Sequence, residues 1–78
     1  MIYVLFVSFR LDVKTMVDDT NKVVKSVGRE ACGSGAGFGL RDVEFEFKSY
    51  AERQAAIDRL ERDKPLPYEV YTTDRKGK

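Results

Sequence analysis

The chain has no histidine, one cysteine and two prolines. Without imidazole it can build no Ser-His or Cys-His nucleophile pair, no HExxH zinc site and no histidine general base. Cys32 has no partner for an internal disulfide, which sets the chain apart from small secreted disulfide scaffolds and predicts a reducing, cytoplasmic setting. No base stands near Cys32 in sequence to lower its pKa, so it reads as a small buried or edge residue and not as a nucleophile. Long apolar runs are also missing. The stretch Ile2 to Val7 is far shorter than the roughly 20 residues of a membrane span, and no basic segment precedes it as in a signal peptide. An excess of either charge is lacking too: fourteen Lys plus Arg face thirteen Asp plus Glu, for a formal charge of +1. That balance argues against attachment to nucleic acid or membrane by bulk charge. No cofactor or metal signature is present, and none is expected to be bound.

What is present suits one small globular domain. At 78 residues, with 42% hydrophobic and 35% charged side chains, the chain can bury about 60% of its unfolded surface around one modest core. Ile2 to Phe9 is β-branched, aromatic and almost continuously apolar, as in a central strand. Val13, Met16, Val17, Thr20, Val23, Val24 and Val27 then repeat at helical spacing, after Asp12 or a Thr15/Asp18 capping box and before Gly28, a left-handed stop. Arg29 to Gly39 is a weak strand made of small side chains. It forms a hairpin with Arg41 to Phe47 through a turn among Ala36, Gly37, Phe38 and Gly39. In that second arm Val43, Phe45 and Phe47 alternate with Asp42, Glu44 and Glu46, so one face is apolar and the other acidic. Ser49 and Glu52 open a second helix, which carries Ala56, Ile57 and Leu60 on one stripe and ends near Asp63. Pro65 and Pro67 prevent its continuation. Tyr68 to Thr73 forms the last strand of a single domain spanning 1–73, and Asp74 to Lys78 is a polar tail.

The order β-α-β-β-α-β predicts an α+β, ferredoxin-like βαββαβ fold. Its four-stranded antiparallel sheet has two helices on one face, with the first and third strands central. Within it, the run Phe45-Glu46-Phe47-Lys48-Ser49-Tyr50-Ala51-Glu52-Arg53-Gln54-Ala55-Ala56-Ile57 resembles the end of the third strand and the second helix of an RNA-recognition motif. Ile2-Tyr3-Val4 is faintly similar to the start of that family's first strand. The resemblance covers about a quarter of the chain and implies the same fold. It does not imply RNA stacking on the sheet, because Asp42 and Glu44 stand where that family places its base-stacking aromatics.

Four of the six glycines fall in Gly33-Ser34-Gly35-Ala36-Gly37-Phe38-Gly39. The run is no dinucleotide fingerprint, since position 40 is leucine and a strand follows, and no Gly-Lys-Ser/Thr makes it a P-loop. Gly35 and Gly37 would leave a bare strand face where a phosphate, a base or a partner's backbone comes close, with Arg41 as charged helper and Phe38 as a stacking surface. A glycine hairpin with no ligand is the plainer alternative. Asp42, Glu44 and Glu46 repeat at about 6.5 to 7 Å, close enough for two carboxylates to share a divalent cation. One strand supplies no second wall of ligands, however, and a solvated acidic face is the simpler reading. On the first strand, the face away from the helices carries either Tyr3, Leu5, Val7 and Phe9 or Ile2, Val4 and Phe6; Tyr3 and Leu5 are taken as its binding residues, with Tyr71 extending the patch. Exposed apolar area of that kind marks an interface.

These features point to a small non-catalytic protein that docks on a macromolecular partner or dimerises through its sheet. In size and in lacking catalytic equipment the chain is similar to small phage-encoded inhibitors of host enzymes, anti-CRISPR proteins among them. A nucleotide or single-stranded nucleic-acid binder built on the glycine hairpin is the alternative, and a metal-dependent phosphodiester enzyme using Asp42 and Glu44 a further one. Neither requires a membrane.

Overall fold

The computed structural model describes residues 1–76. Its elements are β1 (Ile2–Arg10), α1 (Met16–Val27), β2 (Gly33–Gly37), β3 (Leu40–Phe47), α2 (Tyr50–Asp63) and β4 (Glu69–Arg75). All strand pairs are antiparallel and the sheet order is β2-β3-β1-β4, so β1 and β3 are central as the sequence predicts and the architecture is ferredoxin-like. Lys78, part of the expected tail, lies outside the described residues. No helix among the described residues is long and apolar enough to cross a membrane.

The register of β1 on β3 decides where the core lies. Tyr3 faces Phe47, Leu5 faces Phe45 and Val7 faces Val43. Because side chains alternate across a sheet, these pairs share one face. Onto it pack Val23 and Val27 of α1 together with Ala56 and Leu60 of α2. Leu5 and Phe45 are fully buried. Leu5 is therefore a core residue and not part of an exposed binding patch. Tyr3 is on the same helix-covered face, edge-on to Tyr50 with 6.2 Å between ring centroids.

The helix boundaries follow local chemistry, with two differences from expectation. Gly28 takes the left-handed conformation (φ 79°) and its N–H donates to the Val24 carbonyl, closing α1 as expected. At the other end the Thr15/Asp18 capping box does not form: Thr15 Oγ1 donates to Asp19 Oδ2 at 2.8 Å, and Val13 lies before the helix, exposed. The buried stripe of α1 accordingly shrinks to its last two turns. For α2, Ser49 Oγ accepts the Glu52 N–H, half of the expected capping box. Ser26 donates to Asp63 at 2.9 Å and the Arg59 guanidinium donates to the Val27 carbonyl, which joins the C-terminal ends of the two helices.

The last strand is longer than its composition suggests. Asp74 and Arg75, assigned from sequence to the tail, pair with Tyr3 and Ile2 of β1. Arg53 ties this end of β4 to α2. Buried on α2, its Nη1 donates to the carbonyls of Val4 and Thr73 and, at 2.8 Å, to Asp74 Oδ1. Its guanidinium carbon also lies 5.3 Å from the ring centroids of both Tyr3 and Tyr50. One cation thus satisfies backbone acceptors of two strands and an aromatic pair. Arg53→Ala is expected to lower the free energy of unfolding by about 1–3 kcal/mol, measured by urea denaturation, with earlier hydrogen exchange in β4.

Candidate functional site

The helix-free face of the sheet is built by the opposite parity. On β1 it carries Ile2, Val4 and Phe6, which face Arg75, Thr73 and Tyr71 on β4. Across β3, Val4 faces Glu46, Phe6 faces Glu44 and Ser8 faces Asp42. The face is not a broad apolar patch. Val4 is fully buried, since Arg75 crosses from β4 over β1 to reach Glu46 Oε2 at 3.1 Å and Glu44 Oε2 at 3.3 Å. Tyr71 is exposed on this face, and its hydroxyl donates to Glu69 at 2.9 Å.

The hairpin register adds the glycines to the same face. Gly37 and Leu40 flank a two-residue turn, Phe38-Gly39, which puts Gly35 opposite Asp42 and Gly33 opposite Glu44. Phe38 and Gly39 both have positive φ, 53° and 74°, the type I′ geometry that matches strand twist. For Gly39 that conformation costs nothing; for the bulky, fully exposed Phe38 it is strained and no packing compensates. A Cβ added at Gly35 or Gly37 would meet nothing within 4 Å. Beside the glycines a groove of about 320 Å³ is lined by Phe6, Gly33, Ser34, Gly35, Asp42 and Glu44.

Arg41 is not in this groove. As an even-spaced neighbour of Val43 it faces the helix side, opposite Ala36, where Nε donates to Thr20 Oγ1 at 2.9 Å and Nη2 to Ser34 Oγ at 3.3 Å. The expected set is therefore split. Gly35, Gly37, Asp42, Glu44, Glu46 and Tyr71 share the helix-free face, Phe38 stands at the hairpin tip, and Arg41, Tyr3 and Leu5 belong to the other side. A phosphate approaching the glycines would meet carboxylates and no cation from Arg41.

The backbone of β2 is the other half of the site. In an antiparallel ladder alternate residues point their N–H and C=O toward the partner strand. With Gly37 and Leu40 closing the turn, Gly33, Gly35 and Gly37 bond to β3 while Ser34 and Ala36 aim both backbone groups outward from the sheet edge. All five residues of β2 are exposed. The strand has no lysine, proline or inward charge of the kind that protects edges from pairing.

Cys32 completes the acidic end. Its N–H donates to the Glu44 carbonyl at 2.9 Å and its Sγ lies 3.2 Å from Glu44 Oε2, which it reaches as a thiol donor. Although Cys32 is exposed, partial desolvation of its sulfur, then the hydrogen bond to Glu44 and the charges of Glu44 and Glu46, push the thiol up to about 11. Ligand atoms of Cys32, Glu44 and Glu46 lie within 4.8 Å of one another. A cation there would have to displace both the Arg75 guanidinium and the thiol proton.

Cys32, Arg75 and the backbone of Ser34 and Ala36 were not recognised in the sequence. The glycine positions had a usable signal: placing the turn at Phe38-Gly39 fixes every β2–β3 pair by counting. Arg75 had none, because its reach to β3 depends on β4 lying beside β1. No protein-family model, curated protein or solved structure matches the chain.

Two measurements check this geometry. Iodoacetamide should label Cys32 in the folded protein at pH 8 about 100-fold more slowly than an ordinary thiol, because the thiolate is that much scarcer. The rate should rise with pH until about 11, and Glu44→Gln should accelerate it; a folded-state rate equal to that of the denatured chain would contradict the Cys32–Glu44 contact. Phe38→Asn, which suits the left-handed turn position, is expected to raise stability by about 1 kcal/mol in urea denaturation.

Proposed function

We propose that this protein is a non-catalytic binding module that docks on a polypeptide partner by pairing an extended segment of it with the edge of β2. The supporting observation is the edge itself. Two residues, Ser34 and Ala36, present N–H and C=O groups outward from an exposed strand that lacks protecting charge or proline. Backbone groups so arranged are those used when a peptide is added to a sheet as a further strand. Phe38 supports the same reading. An aromatic side chain held at positive φ and fully exposed contributes nothing to the fold, and its position at the hairpin tip suits contact with a partner lying along β2.

Docking by strand addition assigns different parts to backbone and side chains. The backbone of Ser34 and Ala36 supplies sequence-independent hydrogen bonds, and the helix-free face beside it supplies selectivity. The core is not required to move, because β2 lies at the end of the sheet order away from β1.

Proline at position 36 removes an outward N–H and leaves the bonds of Gly35 and Gly37 to β3 in place. Ala36→Pro is therefore expected to abolish specific partner capture while circular dichroism and urea denaturation stay close to those of the parent. Immobilised parent and variant, each challenged with cell lysate, give the comparison, with light scattering to detect self-association. Equal capture of the same protein by both, or no partner together with a strictly monomeric parent, would overturn the proposal.

A further inference from the structure

Resting on that reading, we infer that the segment added to β2 is basic, with arginine or lysine at alternate positions whose side chains cross the glycines of β2 to the carboxylates of β3. The molecule already contains this interaction once. Arg75, on β4, lies two strand positions from β3 and reaches over β1 to pair with Glu44 and Glu46 at 3.3 and 3.1 Å. A strand added beyond β2 would also lie two positions from β3, about 9.5 Å at ordinary strand spacing. An arginine on its helix-free side has the same distance to span in the opposite direction.

The path on this side is open. Arg75 must pass over side chains of β1, whereas a side chain crossing β2 meets Gly33, Gly35 and Gly37, and a Cβ at Gly35 or Gly37 would find nothing within 4 Å. At the end of the path lies Asp42, which among the described residues accepts no side-chain hydrogen bond and joins no salt bridge, so its charge is available. Glu44 is reached from the same groove, though it is shared with Arg75 and Cys32. Two basic residues spaced i, i+2 on the added strand would stand above Gly35 and Gly33, opposite Asp42 and Glu44 respectively. Selectivity then comes from repulsion as well as attraction, since an acidic segment or a phosphate backbone would bring like charge to the same carboxylates.

A second copy of the chain fits less well. Its own β2, pairing edge to edge, would bring only Gly, Ser and Ala side chains and leave Asp42 without a cation.

The test uses fluorescein-labelled octapeptides in which arginine alternates with threonine, the same peptide with glutamate for arginine, and a single-stranded RNA octamer, titrated by fluorescence anisotropy at low and physiological salt. The arginine peptide is expected to bind the parent, to weaken about tenfold on Asp42→Asn, and to weaken further with salt. Gly35→Lys, a substitution the open space tolerates, places a competing cation on the glycine floor and should reduce binding at least as much. Ala36→Pro, which leaves the charges unchanged, should remove binding and so separates strand addition from simple attraction to an acidic surface. Equal affinity for the glutamate peptide or the RNA, or indifference to both Asp42→Asn and Gly35→Lys, overturns the basic-segment inference while loss with Ala36→Pro preserves strand addition. Binding that survives Ala36→Pro unchanged, or no peptide binding at all, overturns both.

Discussion

Everything in this fold depends on the pairing of β1 with β3. Eight register pairs from Tyr3↔Phe47 to Arg10↔Leu40 join the two central strands, and the period of two along each strand then leaves no freedom about which side chains share a face. One parity collects Leu5, Val7, Phe9, Val43, Phe45 and Phe47 into the layer that α1 and α2 cover. The other parity collects Asp42, Glu44 and Glu46 beside Val4 and Phe6. A shift of one residue would place the three carboxylates under the helices, where desolvating them would cost far more than the apolar contacts return. The hydrophobic layer and the acidic face are thus two results of one register.

That register also explains why the helix-free face is neither greasy nor uniformly acidic. Arg75 lies across β1, shields Val4 and partly neutralises Glu44 and Glu46. Cys32 holds its proton against Glu44 and adds no charge. Among the described residues, negative charge without a partner is left at Asp42, next to the glycines. The local features of the β2–β3 hairpin converge there: a bare strand floor, an unprotected edge and a strained aromatic at the tip. None of the three is needed to bury the core, which lies on β1, β3 and the helices.

Much of the architecture was legible because it rests on periodicities and stop signals that act locally. The alternation from Asp42 to Phe47, the left-handed Gly28 and the Ser49 cap each report on their own neighbourhood, and together they give the order of elements. The failures share a cause. Leu5 and Tyr3 lie in a strand apolar on both faces, so nothing local says which parity the helices cover. Arg41 stands in sequence beside the glycines but alternates to the opposite face, where Thr20 and Ser34 hold it. Asp74 and Arg75 have the composition of a tail, yet they pair with β1 and are held there by Arg53, a charged residue of α2 buried on the same helix face as Ala56 and Leu60.

The sequence by itself determined the fold class, the acidic alternation of β3 and the presence of a glycine hairpin. Each follows from spacing along one segment, and backbone sterics act over that same range. Only the tertiary structure decided which face of β1 is core, how Arg75 bridges two strands to the carboxylates, and that Gly33, Gly35 and Gly37 share a face with them while Arg41 does not. Those outcomes depend on which strands become neighbours and in what register, a choice made by burying apolar side chains of β1, β3 and both helices at once.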